Sequence, residues 1–205
     1  MEIGSVILAG GKANRMGGVD KAFLPLAGKP LLAHVIDRLA PQVADIVIST
    51  NGDLSRFASC GFPVIADSVG GFAGPLAGLL AGLEWHAENQ PDISYVVSVP
   101  TDTPFFPADL VARLVAPANH ERRPIVARSE SGVHPVVGLW PVEMAQDLRR
   151  ALNQGMRKVG AWTARQSSIE VTFPLEEVGG KPLDPFFNIN RPEDLAEAEV
   201  LLKGS

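Results

Sequence analysis

The sequence predicts an α/β protein of three layers, with helices packed on both faces of a mostly parallel central sheet, in one domain spanning residues 1–205. Two observations carry the prediction. Short β-branched runs alternate with longer segments of helical apolar spacing, the signature of right-handed βαβ units. A chain of 205 residues can also bury one substantial core, whereas two independent cores would be cramped.

The elements follow in order. Ser5-Val6-Ile7-Leu8 reads as the first strand, and Leu31, Leu32, Val35, Ile36 and Leu39 recur at helical spacing across Pro30 to Leu39. The strand Ile46 to Ser49 completes a βαβ unit. A short strand at Pro63 to Ala66 precedes a loop with Gly70, Gly71 and Gly74, and Pro75 is suited to open a helix running to about Glu88. Tyr95 to Val99 is the next strand, and Pro107 to Leu110 starts another helix. Further strands are expected at Ile125 to Arg128 and Val136 to Trp140, and a last helix from Pro192 to Leu202.

Composition narrows the partners. A formal charge of -5 argues against nucleic acid, whose backbone is engaged through clustered Lys and Arg. Any bound phosphate must be held locally. Cys60 is the single cysteine, so no intrachain disulfide is available and nothing points to an oxidising compartment. The start, Met1-Glu2-Ile3-Gly4, carries an acid where a signal peptide has a basic flank. The longest apolar stretch, Gly71 to Trp85, is broken by glycines and Pro75 and falls short of the ~20 residues that a bilayer requires. A cytoplasmic protein without a membrane span is expected.

In open α/β sheets ligands sit beyond the carboxyl ends of the strands, so the residues that follow each strand matter most. After the first strand come Ala9, Gly10, Gly11, Lys12, Asn14, Arg15, Met16, Gly17, Gly18, Asp20 and Lys21. Such glycines let the backbone approach a ligand, and their exposed amides form anion-binding concavities. Lys12, Arg15 and Lys21 are placed to neutralise a triphosphate and the charge of a departing pyrophosphate. The loop is not a Walker A motif, because no Gly-Lys-Ser or Gly-Lys-Thr closes it, and Gly-x-Gly-x-x-Gly is absent too. The bland alternative is an ordinary turn with solvated cations.

Asp102 ends the Tyr95 strand between Thr101 and Thr103. A single carboxylate is how proteins usually hold Mg²⁺, the other positions going to water and phosphates; the alternative is an Asx turn or a cap for the Pro107 helix. Asp67 and Asn51, each following a strand, are suited to meet a nucleoside or merely to close turns. Asn188 and Asn190 lie at i and i+2 of an extended segment, so both amides can face one site. His134-Pro135 falls between candidate strands as a candidate substrate contact. No nucleophile elbow or zinc spacing accompanies it. His34, His86 and His120 read as surface or partly packed, and Trp85, Trp140 and Trp162 as core or lining residues.

The segment Leu8-Ala9-Gly10-Gly11-Lys12-Ala13-Asn14-Arg15-Met16-Gly17-Gly18-Val19-Asp20-Lys21 resembles the signature loop of the molybdenum cofactor guanylyltransferases. The likeness continues through Gly28-Lys29-Pro30-Leu31, Asp67, Gly74-Pro75-Leu76-Ala77-Gly78, Asp102-Thr103-Pro104, His134-Pro135 and Asn188-Ile189-Asn190. It covers nearly the whole chain. The resemblance implies a Rossmann-like fold and transfer of GMP from GTP to the phosphate of Mo-molybdopterin, releasing pyrophosphate. By matching position it implies GTP contacts from Leu8, Ala9, Gly10, Gly11, Lys21, Asn51, Asp67 and Asp102. Arg15, Lys21 and Asp102 would be catalytic, with Asp102 on Mg²⁺ (or Mn²⁺ as a substitute).

His134, Asn188 and Asn190 would face the acceptor, and molybdoenzyme chaperones or apo-molybdoenzymes would be further partners. The nucleoside-contacting asparagine of the family aligns with either Ser49 or Asn51, of which Asn51 is preferred. Two departures stand out. Asn14 replaces a residue that is often basic or small and polar, and Arg191 stands where Thr is usual, which removes a good N-cap and leaves Asn190 or water to serve the last helix. Two rival readings remain: a cytidylyl- or uridylyltransferase acting on molybdopterin or a sugar or polyol phosphate, and a non-catalytic GTP-sensing module. CTP-using relatives resemble Leu-Ala-Ala-Gly at this step, whereas Gly10 leaves more room beside the base.

Overall fold

Strand β1 (Ile3–Leu8) turns Ile3 and Ile7 to one face of the sheet and Val6 and Leu8 to the other, and each pair joins a different buried cluster. That alternation sets the three layers. The computed structural model describes residues 2–10, 12–13, 19–67, 74–118 and 122–203. After β1 come two short antiparallel pairs, β2 with β3 (Lys12–Ala13, Val19–Asp20) and β4 with β5 (Pro25–Leu26, Lys29–Pro30). Then follow α1 (Leu31–Leu39), β6 (Asp45–Thr50), β7 (Val64–Ala66), α2 (Pro75–Asn89), β8 (Tyr95–Pro100) and α3 (Leu110–Val115). The remainder comprises β9 (Ile125–Ser129), β10 (Gly132–Pro141), α4 (Ala145–Asn153), α5 (Val159–Arg165), β11 (Ile169–Thr172), a hairpin of β12 (Glu176–Val178) and β13 (Lys181–Leu183), and α6 (Pro192–Lys203).

The main sheet has seven strands in the order β11-β9-β10-β8-β1-β6-β7. β10 runs antiparallel to both neighbours and every other pairing is parallel, so the mostly parallel three-layer α/β fold is observed. Helices α1 and α3 cover one face through Leu32, Val35 and Leu39 and through Leu110, Val111 and Leu114. Helices α2, α4 and α5 cover the other. There Leu76, Leu80 and Leu83 are fully buried, worth about 1.5–3 kcal/mol each. A third cluster joins α6 to the β4–β5 pair through Leu26, Leu31, Ala198 and Leu201.

Helix α2 lies unusually close to β1. A Cβ at Gly82 would stand 2.6 Å from the Val6 Cβ, and one at Gly78 would stand 2.9 Å from Leu8 Cδ2. These glycines bring the amino terminus of α2 over the carboxyl end of β1.

Several expectations need correction. The helix expected from Pro107 begins at Leu110, because residues 108–109 form a turn and the Leu110 N–H returns to the Pro107 carbonyl at 3.1 Å. The strand expected from Val136 starts at Gly132, which puts His134-Pro135 inside β10 rather than between strands. The register shifts between His134 and Gly138, an irregularity that accommodates a proline with no N–H to give the ladder. His86 is fully buried within α2 rather than partly packed, its Nδ1 2.8 Å from the Gly82 carbonyl oxygen. His120 lies outside the described residues. Trp140 and Trp162 are core residues, stacked with centroids 5.6 Å apart, and Trp85 is partly buried beside them. Among the described residues no helix is long and apolar enough to cross a membrane.

Candidate functional site

The carboxyl ends of β1, β6, β7 and β8 open onto one pocket of about 420 Å³. Its floor is built by backbone clamps. The Thr101 N–H donates to the Leu8 carbonyl at 3.3 Å, and the Ala9 N–H donates to the Ser49 carbonyl at 2.8 Å. The Leu8 carbonyl and the Ala9 amide are therefore engaged within the protein, and Gly10 is where the chain leaves the sheet. A Cβ on Gly10 would come within 3.4 Å of the Asn51 side chain, so the missing Cβ lets Asn51 lie against the backbone. Asn51 is exposed and lines the pocket.

Ser49, the other candidate, is buried and donates its hydroxyl to Asp67 Oδ1 at 2.9 Å. Both residues line the pocket: Ser49 orients Asp67, whereas the Asn51 side chain is exposed to it. Burial raises the Asp67 carboxyl above its ordinary value, against the pull of the Ser49 hydrogen bond.

Lys21 is set by its predecessor. Asp20 caps the short 3₁₀ turn Lys21–Phe23 by accepting from the Ala22 N–H at 3.2 Å. The Lys21 ammonium donates to Asp102 Oδ2 at 2.9 Å and to Asn190 Oδ1. It thereby joins residues 81 and 169 positions away. Asp102 does not cap the following helix; its carbonyl accepts from the Ile189 N–H at 2.8 Å, which docks the Asn188–Asn190 segment against the strand end. Ile189 is fully buried between the two asparagines, so Asn188 lines the pocket while Asn190 holds Lys21.

With Asn190 so occupied, the last helix is capped differently from expectation. Asp194 reaches back and accepts from the Asn190 and Arg191 N–H groups at 2.8 and 2.9 Å.

Asp102 fits the metal role chemically. Its Oδ2 is taken by Lys21, while Oδ1 is buried and has no hydrogen-bond partner among the described residues. A buried, unpartnered carboxylate oxygen at a pocket wall is the donor a Mg²⁺ needs, the other positions going to water and phosphate oxygens. Among the described residues no group of three His, Cys, Asp or Glu is placed to hold a metal ion by protein ligands alone.

The opposite wall comes from the β9–β10 hairpin and the Asp184–Asn190 segment. His134 lines it, its ring tilted over Phe186 with centroids 4.7 Å apart. His134 Nε2 lies 2.7 Å from Ser129 Oγ, and Ser129 donates to Asp184 Oδ2 at 2.6 Å. Asp184 Oδ1 also accepts from the Phe186 N–H at 2.8 Å. Burial raises the Asp184 carboxyl, yet hydrogen bonds from Ser129, Ser131 and the Phe186 amide, together with His134, outweigh it and hold the carboxyl below its ordinary value. Burial lowers the His134 imidazole against the attraction of Asp184.

The pocket thus gathers Leu8, Gly10, Lys21, Asn51, Asp67 and Asp102 with His134 and Asn188. Ala9 is buried beneath it. Gly11 and Arg15 lie outside the described residues. Sequence reasoning gave no role to Ser129 or Asp184. Asp184 carried one local signal, an Asp-Pro-Phe stretch whose carboxylate turns back on the amide two residues later. Ser129 carried none.

The MobA-like NTP transferase domain matches residues 5–169 of the chain. The chain is 52% identical over 198 residues to a molybdenum cofactor guanylyltransferase of Bradyrhizobium sp. (strain ORS 278), covering 96% of this chain and 91% of that relative. It is likewise 52% identical over 197 residues to a molybdenum cofactor guanylyltransferase of Rhodopseudomonas palustris (strain BisB5), covering 95% and 91%. Among solved structures, molybdopterin-guanine dinucleotide biosynthesis protein A from Archaeoglobus fulgidus shares the fold, with a TM-score of 0.74 at 24% identity over 98% of this chain and 100% of that one.

Proposed function

The chain belongs to the MobA-like NTP transferase family, and from that premise we propose that it transfers GMP from GTP to the phosphate of Mo-molybdopterin, releasing pyrophosphate and forming the guanine dinucleotide cofactor. It is a nucleotidyltransferase. The observation that carries the reading is the position of Lys21, one ammonium bonded to both Asp102 and Asn190. Asp67 and Asn51 line one side of that junction, while His134 and Asn188 line the other. Two substrates, one on each side, would meet there.

The reaction needs no covalent enzyme intermediate. An oxygen of the acceptor phosphate attacks the α-phosphorus of GTP in line, a new P–O bond forms, and the bond to the β-phosphate breaks as pyrophosphate leaves. The protein's share is positioning and charge stabilisation. Asn51, Asp67 and the backbone at Gly10 hold the nucleoside. The amino terminus of α2, at Gly74 and Pro75, adds partial positive charge to the same wall. Lys21 exchanges protein partners for phosphate oxygens and draws charge toward the leaving group. Arg15, on the preceding loop, would assist. A Mg²⁺ held by Asp102 Oδ1 would supply charge neutralisation on the triphosphate, and Mn²⁺ would serve in its place.

The test is pyrophosphate release with GTP, CTP and UTP competing in the presence of Mo-molybdopterin. Release from GTP alone is expected, since a site that hydrogen-bonds one base edge rejects the others. Preference for CTP or UTP would move the protein to the cytidylyl or uridylyl class. Tight GTP binding without pyrophosphate would make it a sensing module.

A further inference from the structure

Ser129 makes more hydrogen bonds than its single proton allows it to donate, and that excess fixes the polarity of the acceptor wall. Its Oγ lies 2.6 Å from Asp184 Oδ2, 2.7 Å from His134 Nε2, 3.1 Å from Ser131 Oγ and 3.3 Å from the Ser131 backbone N, and the Ser131 hydroxyl gives its own proton to Asp184, so it takes no lone pair of Ser129. A hydroxyl offers one proton and two lone pairs. The Ser131 N–H can only donate, so it takes one lone pair. An ionised carboxylate can only accept, so it takes the proton. One lone pair remains for His134, and His134 must therefore present Nε2–H. Were Nε2 unprotonated, two acceptors would compete for one proton and a lone pair would face a lone pair at hydrogen-bond distance.

The charges agree with this count. The hydrogen bonds around Asp184 keep it ionised, and burial keeps the His134 ring neutral at neutral pH. A neutral ring protonated at Nε2 carries its free lone pair on Nδ1, which has no partner among the described residues. Ser131 Oγ, 3.3 Å from Nε2, lies on the same side as Ser129 and leaves Nδ1 untouched. The tilted contact with Phe186 restrains the plane of the ring. Val133, Pro135 and Phe186 make the surrounding wall apolar.

We propose that His134 is a specificity residue that accepts a hydrogen bond from an N–H of a flat heterocycle in the acceptor substrate, rather than binding its phosphate. Ser129 and Asp184 are the positioning residues that impose this polarity. The proposal rests on the acceptor assignment above and deepens it: the phosphate falls to the Lys21 side, and the ring system falls to the His134 side.

Two measurements test it. In the free protein at pH 7, ¹⁵N shifts of the His134 ring should report the Nε2–H tautomer. In Asp184→Asn the new amide can donate to Ser129, which releases the hydroxyl proton toward Nε2 and favours Nδ1–H. That variant should raise KM for Mo-molybdopterin about tenfold, the effect of one lost hydrogen bond, and leave KM for GTP unchanged. Ser129→Ala should weaken the acceptor in the same way, and Ser129→Thr, which keeps the hydroxyl, should restore it. An Nδ1–H tautomer in the unmodified protein would overturn the proposal whatever the acceptor proves to be. So would an unchanged acceptor KM in Asp184→Asn once its tautomer had switched. Failure of the unmodified protein to release pyrophosphate would instead sink the reaction assignment, which the tautomer measurement does not depend on.

Discussion

The two walls of the pocket are built by opposite strategies. The wall assigned to the nucleotide gathers residues that each follow a parallel strand: Gly10 after β1, Asn51 after β6, Asp67 after β7 and Asp102 after β8. The wall assigned to the acceptor rests on the antiparallel strand β10 and on a segment that begins 55 residues after Ser129, where Asp184 accepts from the Ser129 and Ser131 hydroxyls. The first wall follows from sheet topology, whereas the second depends on side-chain bonds between distant segments. A parallel sheet aligns strand ends by construction; an antiparallel insertion must align its residues one contact at a time.

Substitutions on the two walls should separate these strategies. The largest effect is expected at their junction: Asp102→Asn should lower kcat about 1,000-fold at saturating Mg²⁺, and turnover near the unmodified level would remove Asp102 from the metal site. Lys21→Ala should cost about 100-fold in kcat/KM, shared between GTP binding and the chemical step, because its charge serves both ground and transition states. Unchanged kinetics would take Lys21 out of the reaction.

Gly82→Ala forces a Cβ against Val6 and should destabilise the fold by about 2 kcal/mol in urea unfolding, without changing the ratio of the two substrates' KM values. A change confined to one substrate would show that α2 supports one wall alone. Asp67→Asn should raise KM for GTP about tenfold and spare the acceptor, since a charged hydrogen-bond partner is worth roughly 1.5 kcal/mol. An equal rise in both would erase the division between walls.

The smallest effect concerns His86, buried where α2 packs on the amino ends of β1 and β6, away from the pocket. Burial holds its folded pKa below the ordinary 6.5 despite the Gly82 carbonyl and Asp45. Its contribution to stability is therefore fully present above pH 6.5 and lost as pH falls toward the folded value. His86→Gln should flatten the slope of unfolding free energy below pH 6.5; an unchanged slope would assign the acid sensitivity to other groups.

What was legible in the sequence follows the same division. The βαβ rhythm exposed β1, α1, β6, α2 and β8, and with them every residue of the nucleotide wall that follows a strand. Helix α4 was not read, although Ala145, Leu148 and Leu152 recur at helical spacing and are buried. The β12–β13 hairpin was not read either, although its turn is Gly179-Gly180, a pair suited to the positive φ (58° and 73°) found there. Seven-residue α5 is too short for its apolar period to stand out. The Ser129–Asp184 contact had no signature, because a hydrogen bond between segments 55 residues apart leaves no local spacing to read. His86 was misjudged because a histidine on an almost wholly apolar helix face shows its burial only when β1 and β6 are packed against it.

The Lys21–Asp102 pair has a consequence for which form of the nucleotide the pocket admits. The described lining residues offer one ammonium, Lys21, against two carboxylates, Asp67 and Asp102. Such a surface repels a bare triphosphate. The counterions for that charge must travel with the ligand, so a pocket of this lining discriminates by net charge and favours a cation-neutralised nucleotide over the free polyanion before any base contact is made.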